Sequence, residues 1–270
     1  MGKKGKEAAR ERREQRRREV THLRTVPYEP HQRWWGHLER GPARAVAVVT
    51  GANRGIGFEA ARQLALHGLH VVVASRDAER GQAAAELIRA EASGEAGVSV
   101  ECRQLDVADA ASVKAFAAWA AETHGGIHVL INNVGVNFNK GAENSVEFAQ
   151  QVIETNYYGT KRMIDAMIPL MKPSPYGGRI VNVSSRLGRV NGRRNISFLD
   201  RESVMLSDQA EGQKIYMNCF CPGWVKTAMT GWEGNISAEE GADTGVWLAL
   251  LPQEQSTNGK FFAERCEISF

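Results

Sequence analysis

Ala45-Val46-Ala47-Val48-Val49, running straight into Thr50-Gly51-Ala52-Asn53-Arg54-Gly55-Ile56-Gly57 and then a helix-like stretch from Phe58 to His67, decides the fold of this chain. Five small or β-branched apolar residues in a row read as a strand buried on both faces. Glycine then allows a sharp reversal into a helix, whose N-terminus offers free amides and the positive end of a dipole to an anion such as a pyrophosphate. Strand, glycine turn and helix in this order are the context that a dinucleotide-binding turn requires. Working outward, short apolar runs recur at 69–74, 98–102, 127–131, 179–183 and 215–220, separated by helical segments near 78–92, 108–122, 145–171 and 237–251. Alternation of this kind predicts an α/β fold with a doubly wound parallel sheet.

The expected architecture is thus a Rossmann-type sheet in three α/β/α layers, with residues 44–135 as its nucleotide-binding half. Composition agrees: 43% of the 270 residues are apolar, 24% are charged, and glycine occurs 27 times. That balance excludes disordered and fibrous classes, and no window reaches the roughly eighteen apolar residues of a membrane span. Four cysteines without CxxC spacing (Cys102, Cys219, Cys221, Cys266) give neither a zinc ribbon nor a disulfide framework, and reduced thiols are the expectation. Cys219 and Cys221 read as core thiols on one strand face. His67, His70, His124 and His128 show no metal-ligand spacing, so no metal site is expected.

Charge is unevenly spread. Residues 1–40 hold twelve Lys/Arg and six Asp/Glu, leaving 22 basic and 25 acidic residues in the remainder. Residues 1–43 read as a basic N-terminal extension and 44–270 as the folded domain, with Trp34-Trp35 as an apolar anchor of the extension. The extension has no apolar signal core, and its interleaved glutamates favour a solvated helix over a nucleic-acid arm.

The spacing TGxxxGxG in Thr50–Gly57 resembles the short-chain dehydrogenase/reductase family, and four further stretches agree with it in order. Asp106-Val107 resembles its adenine-ring contact and Asn132-Asn133-Val134-Gly135 its NNAG motif. Val181-Asn182-Val183-Ser184-Ser185 resembles the strand that ends in its active-site serine, here Ser185, and Pro222-Gly223-Trp224-Val225-Lys226-Thr227 its nicotinamide-closing turn. More narrowly, PYEPHQRWW (27–35), RLGRVNGRR (186–194), NCFCPGWVKTAMTGW (218–232) and the FFAERCEISF tail resemble the plant neomenthol (menthone) dehydrogenase and carbonyl-reductase-like branch. The resemblance implies a cytoplasmic, monomeric, NADPH-linked reductase of hydrophobic ketones or aldehydes. It assigns cofactor binding to Thr50, Gly51, Asn53, Arg54, Gly55, Ile56, Gly57, Asp106, Val107, Asn133, Gly135, Pro222, Gly223, Val225 and Thr227.

The choice of nucleotide is legible in the residues that end the second strand. Ala74-Ser75-Arg76 presents a hydroxyl and a guanidinium, which suit the 2′-phosphate of NADP(H), with Arg54 as a second phosphate contact. Asp77 is the alternative, since a carboxylate there reaches the ribose 2′-hydroxyl of NAD if the strand register slips.

In the family, hydride transfer to a carbonyl is assisted by a tyrosine acid, a lysine that lowers its pKa, a serine and a relay asparagine. Asn156, in ETNYYGTK, matches the asparagine and Ser185 the serine. The tyrosine and lysine belong in a YxxxK helix downstream of the serine. Only Tyr216 lies downstream of Ser185, and four residues later stands Phe220. Tyr157 and Lys161 satisfy YxxxK but lie upstream, beside Asn156, and read as helix-surface residues. From Ser185 to Ile215 there are 30 positions, too few for an active-site loop and a whole crossover helix, so an incomplete crossover before the sixth strand is expected. The branch has a longer interval there, and an internal deletion of the YxxxK segment is the reading. Activity of the chain is then in question, and a catalytically silent nucleotide-binding variant is the alternative function. Met229 and Trp232 are expected in an apolar substrate wall, or in ordinary packing.

Overall fold

A computed structural model describes residues 44–91, 98–138, 145–172, 177–186, 214–252 and 256–268. The described elements run in the order β1 (Val46–Thr50), α1 (Gly55–Leu66), β2 (His70–Ser75), α2 (Ala78–Glu91), β3 (Ser99–Gln104), α3 (Ala110–His124) and β4 (Val129–Asn132). There follow α4 (Val146–Ile153), a π-helical turn (Glu154–Gly159), α5 (Thr160–Met167), β5 (Gly178–Val183), β6 (Ile215–Phe220), α6 (Ala238–Leu250), β7 (Phe261–Ala263) and β8 (Cys266–Ile268). The strands form one eight-stranded sheet in the order β3-β2-β1-β4-β5-β6-β7-β8. Every pairing is parallel except that of β7 with β8, so the expected doubly wound parallel sheet is observed, with one antiparallel edge strand.

Alternate residues of the central strands feed two apolar layers. Ala47, Val49, Val71 and Val73 pack with Leu64 of α1, Ile88 of α2 and Val246 of α6. Val46, Val48, Val72 and Ala74 face the opposite way, against Phe116 of α3 and Met163 and Met167 of α5. Period-two alternation of residues that are apolar on both faces is what helices on both sides of a parallel sheet require. Helix starts are set by short polar side chains. Asp109 Oδ1 accepts the Ala111 amide at the start of α3, and Ser237 and Glu240 form a reciprocal capping box on α6.

The structure adds local detail to the sequence reading at three places. The helix expected over 145–171 is divided, because the backbone widens into a π turn at Glu154–Gly159, around Asn156. The FFAERCEISF tail, not read as strands from sequence, supplies β7 and β8, three residues each. The second strand runs one residue further than its apolar run, to Ser75. The expected incomplete crossover falls on 187–213, and the extension and its Trp34-Trp35 anchor on 1–43, both outside the described residues. Cys219 and Cys221 are buried with Phe261 and Ala263, as expected of core thiols. No helix among the described residues is long and apolar enough to cross a membrane.

His128, beside β4, ties three strands together. Its Nδ1 accepts the Val46 amide at 3.0 Å, its own amide donates to Val46, and its carbonyl accepts the Arg179 amide. Burial, with the Lys172 charge adding to it, pushes the imidazole down to about 4. An unfolded histidine takes its proton near pH 6.5, so between about pH 6.5 and 4 the unfolded chain binds more protons than the folded one. Stability is therefore complete above about pH 7 and falls by up to about 3 kcal/mol on acidification through that window. Urea midpoints measured across pH 4–8 should fall over this range, and a His128→Asn variant should lose most of that slope.

Candidate functional site

The chain leaves the middle of the sheet at β1, travels to the β3 edge and returns to β4, so strand order reverses between β1 and β4. In open α/β sheets ligands bind outside the carboxyl ends of the strands at such a switch point. The glycine turn lies there, between β1 and α1. Gly51 and Gly55 both have φ near +60°, values of 64° and 59°, which explains glycine at these two positions. A Cβ on Gly57 would lie 2.4 Å from Asn133 Nδ2 and 2.6 Å from the Gly51 carbonyl oxygen, so α1 starts against the turn with no room for a side chain.

Thr50 and Asn133 hold this turn to the loop after β4. Thr50 Oγ1 accepts the amides of Asn133 and Val134 at 2.9 and 3.2 Å, and Asn133 Nδ2 donates to the carbonyls of Thr50 and Gly51. Arg54, the residue before α1, makes no side-chain cap, and the first turn of α1 carries no acid. The opening amides of α1 thus face the switch point beside an exposed guanidinium. Asn53 and Ile56 complete the turn, and both are half-buried.

At the end of β2 the three candidates separate. Ser75 is buried, and its hydroxyl donates to the Asp77 carbonyl at 2.8 Å. Asp77 is occupied at the start of α2, accepting the Arg80 amide at 3.0 Å and pairing with the Arg80 guanidinium at 3.1 Å. Arg76 is exposed. Asp106 closes its own loop: its Oδ1 accepts the Ala108 amide and its amide donates to Ser112 Oγ. Val107 is buried against Gly159 of the π turn, linking this loop to the helix that carries Asn156.

Asn156 makes a paired contact with one residue. Its Oδ1 accepts the Val136 amide at 2.8 Å and its Nδ2 donates to the Val136 carbonyl at 3.0 Å. Gly135 is adjacent: a Cβ there would lie 3.8 Å from Asn156 Oδ1 and 3.9 Å from Met229 Cε. The Pro222–Thr227 turn therefore comes across the cleft. Gly223 has φ of 88°, Val225 is buried, and the Thr227 methyl carbon lies 3.4 Å from where a Gly55 Cβ would stand. Thr230 braces the turn, donating to the Val225 carbonyl at 2.6 Å and accepting the Thr227 amide at 3.2 Å. Trp224, Met229 and Trp232 are exposed. Ser185, two residues past β5, is exposed at the same end of the sheet.

The fold thus brings the glycine turn, Asn133–Gly135, Asn156 and Thr227–Met229 into one cleft. What the sequence did not disclose is the π turn at Asn156 and the bond from the Ser75 hydroxyl to the Asp77 carbonyl. Neither has a signature in a linear pattern, since one is a backbone widening and the other a choice between hydrogen-bond partners. Tyr157 and Tyr158 are exposed, and Lys161 pairs with Asp165 at 3.2 Å.

The family model described as short chain dehydrogenase matches residues 45–235. The chain is 32% identical over 277 residues to mouse carbonyl reductase [NADPH] 1, covering 83% of this chain and 97% of that one. It is 34% identical over 285 residues to Arabidopsis thaliana (+)-neomenthol dehydrogenase, covering 81% and 96%. Menthone neomenthol reductase from Mentha piperita superposes with a TM-score of 0.63 at 31% identity, covering 83% and 99%. The Arabidopsis alignment is longer than the part of this chain that it uses: 81% of 270 residues is about 219, against 285 aligned. The match across 45–235 runs from the glycine turn through the asparagine helix to the closing turn, and on that ground this chain belongs to the short-chain dehydrogenase family, whose characterised members are oxidoreductases.

Proposed function

We propose that residues 44–270 form a cytoplasmic, monomeric NADPH-binding domain that takes a hydrophobic ketone or aldehyde, menthone-like in class, in the cleft over Gly135 and Met229. When bound, the reduced nicotinamide supplies a hydride to the carbonyl carbon. The residues fit such a cofactor: Gly51, Gly55 and Gly57 leave the backbone bare, and the first amides of α1 are left without a side-chain cap. Asp106 and Val107 border the adenine end, and Asn133, Gly135, Pro222, Gly223, Val225 and Thr227 the nicotinamide end. Ser185 donates to the carbonyl oxygen and Asn156 orders the loop at Val136 beside it. The exposed Trp224, Met229 and Trp232 supply the apolar wall.

The observation that carries the choice of NADPH is the separation of Arg76 from Asp77. Arg76 is free to meet a 2′-phosphate, while Asp77 is held by Arg80 and does not offer its carboxylate to a ribose. Charge-assisted bonding to phosphate is worth about 1.5–3 kcal/mol. Arg76→Ala should therefore raise the Kd for NADPH about 10- to 100-fold and leave that for NADH within about threefold. Nucleotide fluorescence titration measures both, and equal weakening of the two would overturn the assignment.

A second reading is carried by the alignment length. The surplus of about 66 aligned positions over residues used, together with the absence of any YxxxK after Ser185, supports an internal deletion between β5 and β6. On this reading the chain binds NADPH and turns over poorly.

A further inference from the structure

We propose that His70, Glu101 and His124 form a binding site for a borderline divalent cation of the Zn²⁺ class, at the end of the sheet opposite the nucleotide cleft. His70 opens β2, Glu101 lies within β3 and His124 ends α3, so the three are 31 and 23 residues apart in sequence and meet only in the fold. The β2–β3 register pairs His70 with Ser99 and Val72 with Glu101, which puts His70, Ser99 and Glu101 on one face. That is the face α3 covers, and its last residue delivers the second imidazole.

Both imidazoles converge on one oxygen. His70 Nε2 is 2.7 Å and His124 Nε2 is 2.8 Å from Glu101 Oε1, and one donor atom from each residue lies within 4.8 Å of the others. His124 Nε2 is shielded from solvent, and its 2.8 Å approach to Glu101 Oε1 is its one polar contact among the described residues. His70 Nδ1 stands 2.7 Å from Ser99 Oγ. Without a cation, His70 Nε2–H donates to Glu101 Oε1 and Nδ1 accepts the Ser99 hydroxyl; a cation at Nε2 takes the place of that proton, and Ser99 Oγ then accepts a proton carried on Nδ1, which fixes the ligating tautomer.

Two imidazole nitrogens and a carboxylate oxygen are the donor set of three-ligand zinc sites, with water as the fourth ligand. Donors about 2.0–2.2 Å from a tetrahedral ion stand about 3.3–3.6 Å apart, so each contact to Oε1 must open by less than about 1 Å. Glu101 is the member able to yield, because its side chain is 35% exposed against 18% for His70 and 12% for His124. An ion there would clamp edge strand β3 and the end of α3 to β2. The Trp119 ring, 5.2 Å from the His124 ring, closes one side.

The full chain, stripped with EDTA, is titrated with Zn²⁺ by calorimetry and melted with and without Zn²⁺. The expected result is one Zn²⁺ per chain that raises Tm reversibly, with affinity reduced about tenfold or more in His124→Gln and in Glu101→Gln, and less severely in Ser99→Ala. Co²⁺ at the same site should give a tetrahedral visible spectrum without a thiolate charge-transfer band. Affinity unchanged in all three variants, a thiolate band, or no rise in Tm would overturn the proposal. Should one variant melt before titration, the Co²⁺ spectra of the other two decide.

Discussion

This chain should oxidise NADPH with a cyclic monoterpene ketone about 10²–10⁴-fold more slowly than a version carrying a tyrosine-lysine helix inserted between Ser185 and Ile215, because that factor is what a positioned general acid contributes. A carbonyl accepting hydride develops negative charge on oxygen, and a serine hydroxyl alone stabilises it without delivering a proton from a group of suitable pKa. Tyr157 does not supply the proton in this reading. It is exposed, meets Tyr158 edge-on at 5.0 Å, and belongs to the π turn whose neighbouring Asn156 side chain is committed to Val136. Lys161 is held by Asp165. A Tyr157→Phe variant should accordingly match the parent rate, while NADPH binding, read separately by fluorescence, persists in both. Robust turnover abolished by Tyr157→Phe would assign the upstream pair as the catalytic dyad and remove the second reading.

Replacing Arg179 by Ala should cost about 3–5 kcal/mol of folding stability, the largest effect expected of a single residue away from the cleft. Arg179 lies in β5 and is 1% exposed. Its Nη2 donates to the Leu251 carbonyl at 2.9 Å and to Ser256 Oγ at 2.8 Å, its Nη1 donates to Gly178, and its guanidinium stacks 4.4 Å from the Tyr216 ring. Burial pulls its pKa down to about 10, a sign that holding a charge there is costly. Arg179→Met keeps the volume and removes the buried charge, and should lose less than half as much as Arg179→Ala. Urea unfolding measures both variants. Equal losses would show that the charge and its hydrogen bonds, not the filled volume, dominate. Because β5 ends two residues before Ser185, Arg179→Ala should also weaken the position of that serine.

Strands β1–β6 were readable along the chain because burial on both faces of a parallel sheet leaves continuous apolar, mostly β-branched runs, as in Val46–Val49 and Val71–Val73. β7 and β8 escaped notice since three residues carry no period, and their pairing depends on β6 already being in place. The glycine turn, Asn133–Gly135 and Asn156 could be named because close backbone approach restricts residue type locally. Ser75 was named as a ligand contact from its place at the end of β2; that its hydroxyl donates to the Asp77 carbonyl is a choice of partner that only the loop geometry makes.

The sequence by itself determined the sheet, the glycine turn at the strand-order reversal and the absence of a downstream YxxxK, for each depends on residue type along a short continuous stretch. Tertiary structure alone decided which side chains are already committed. Asn156 is spent on Val136, Asn133 on Thr50 and Gly51, and His70, Glu101 and His124 converge from three separate elements. A hydrogen bond needs its partners within about 3 Å, and contacts of that range between residues distant in the chain exist only once strands are in register and helices are docked upon them.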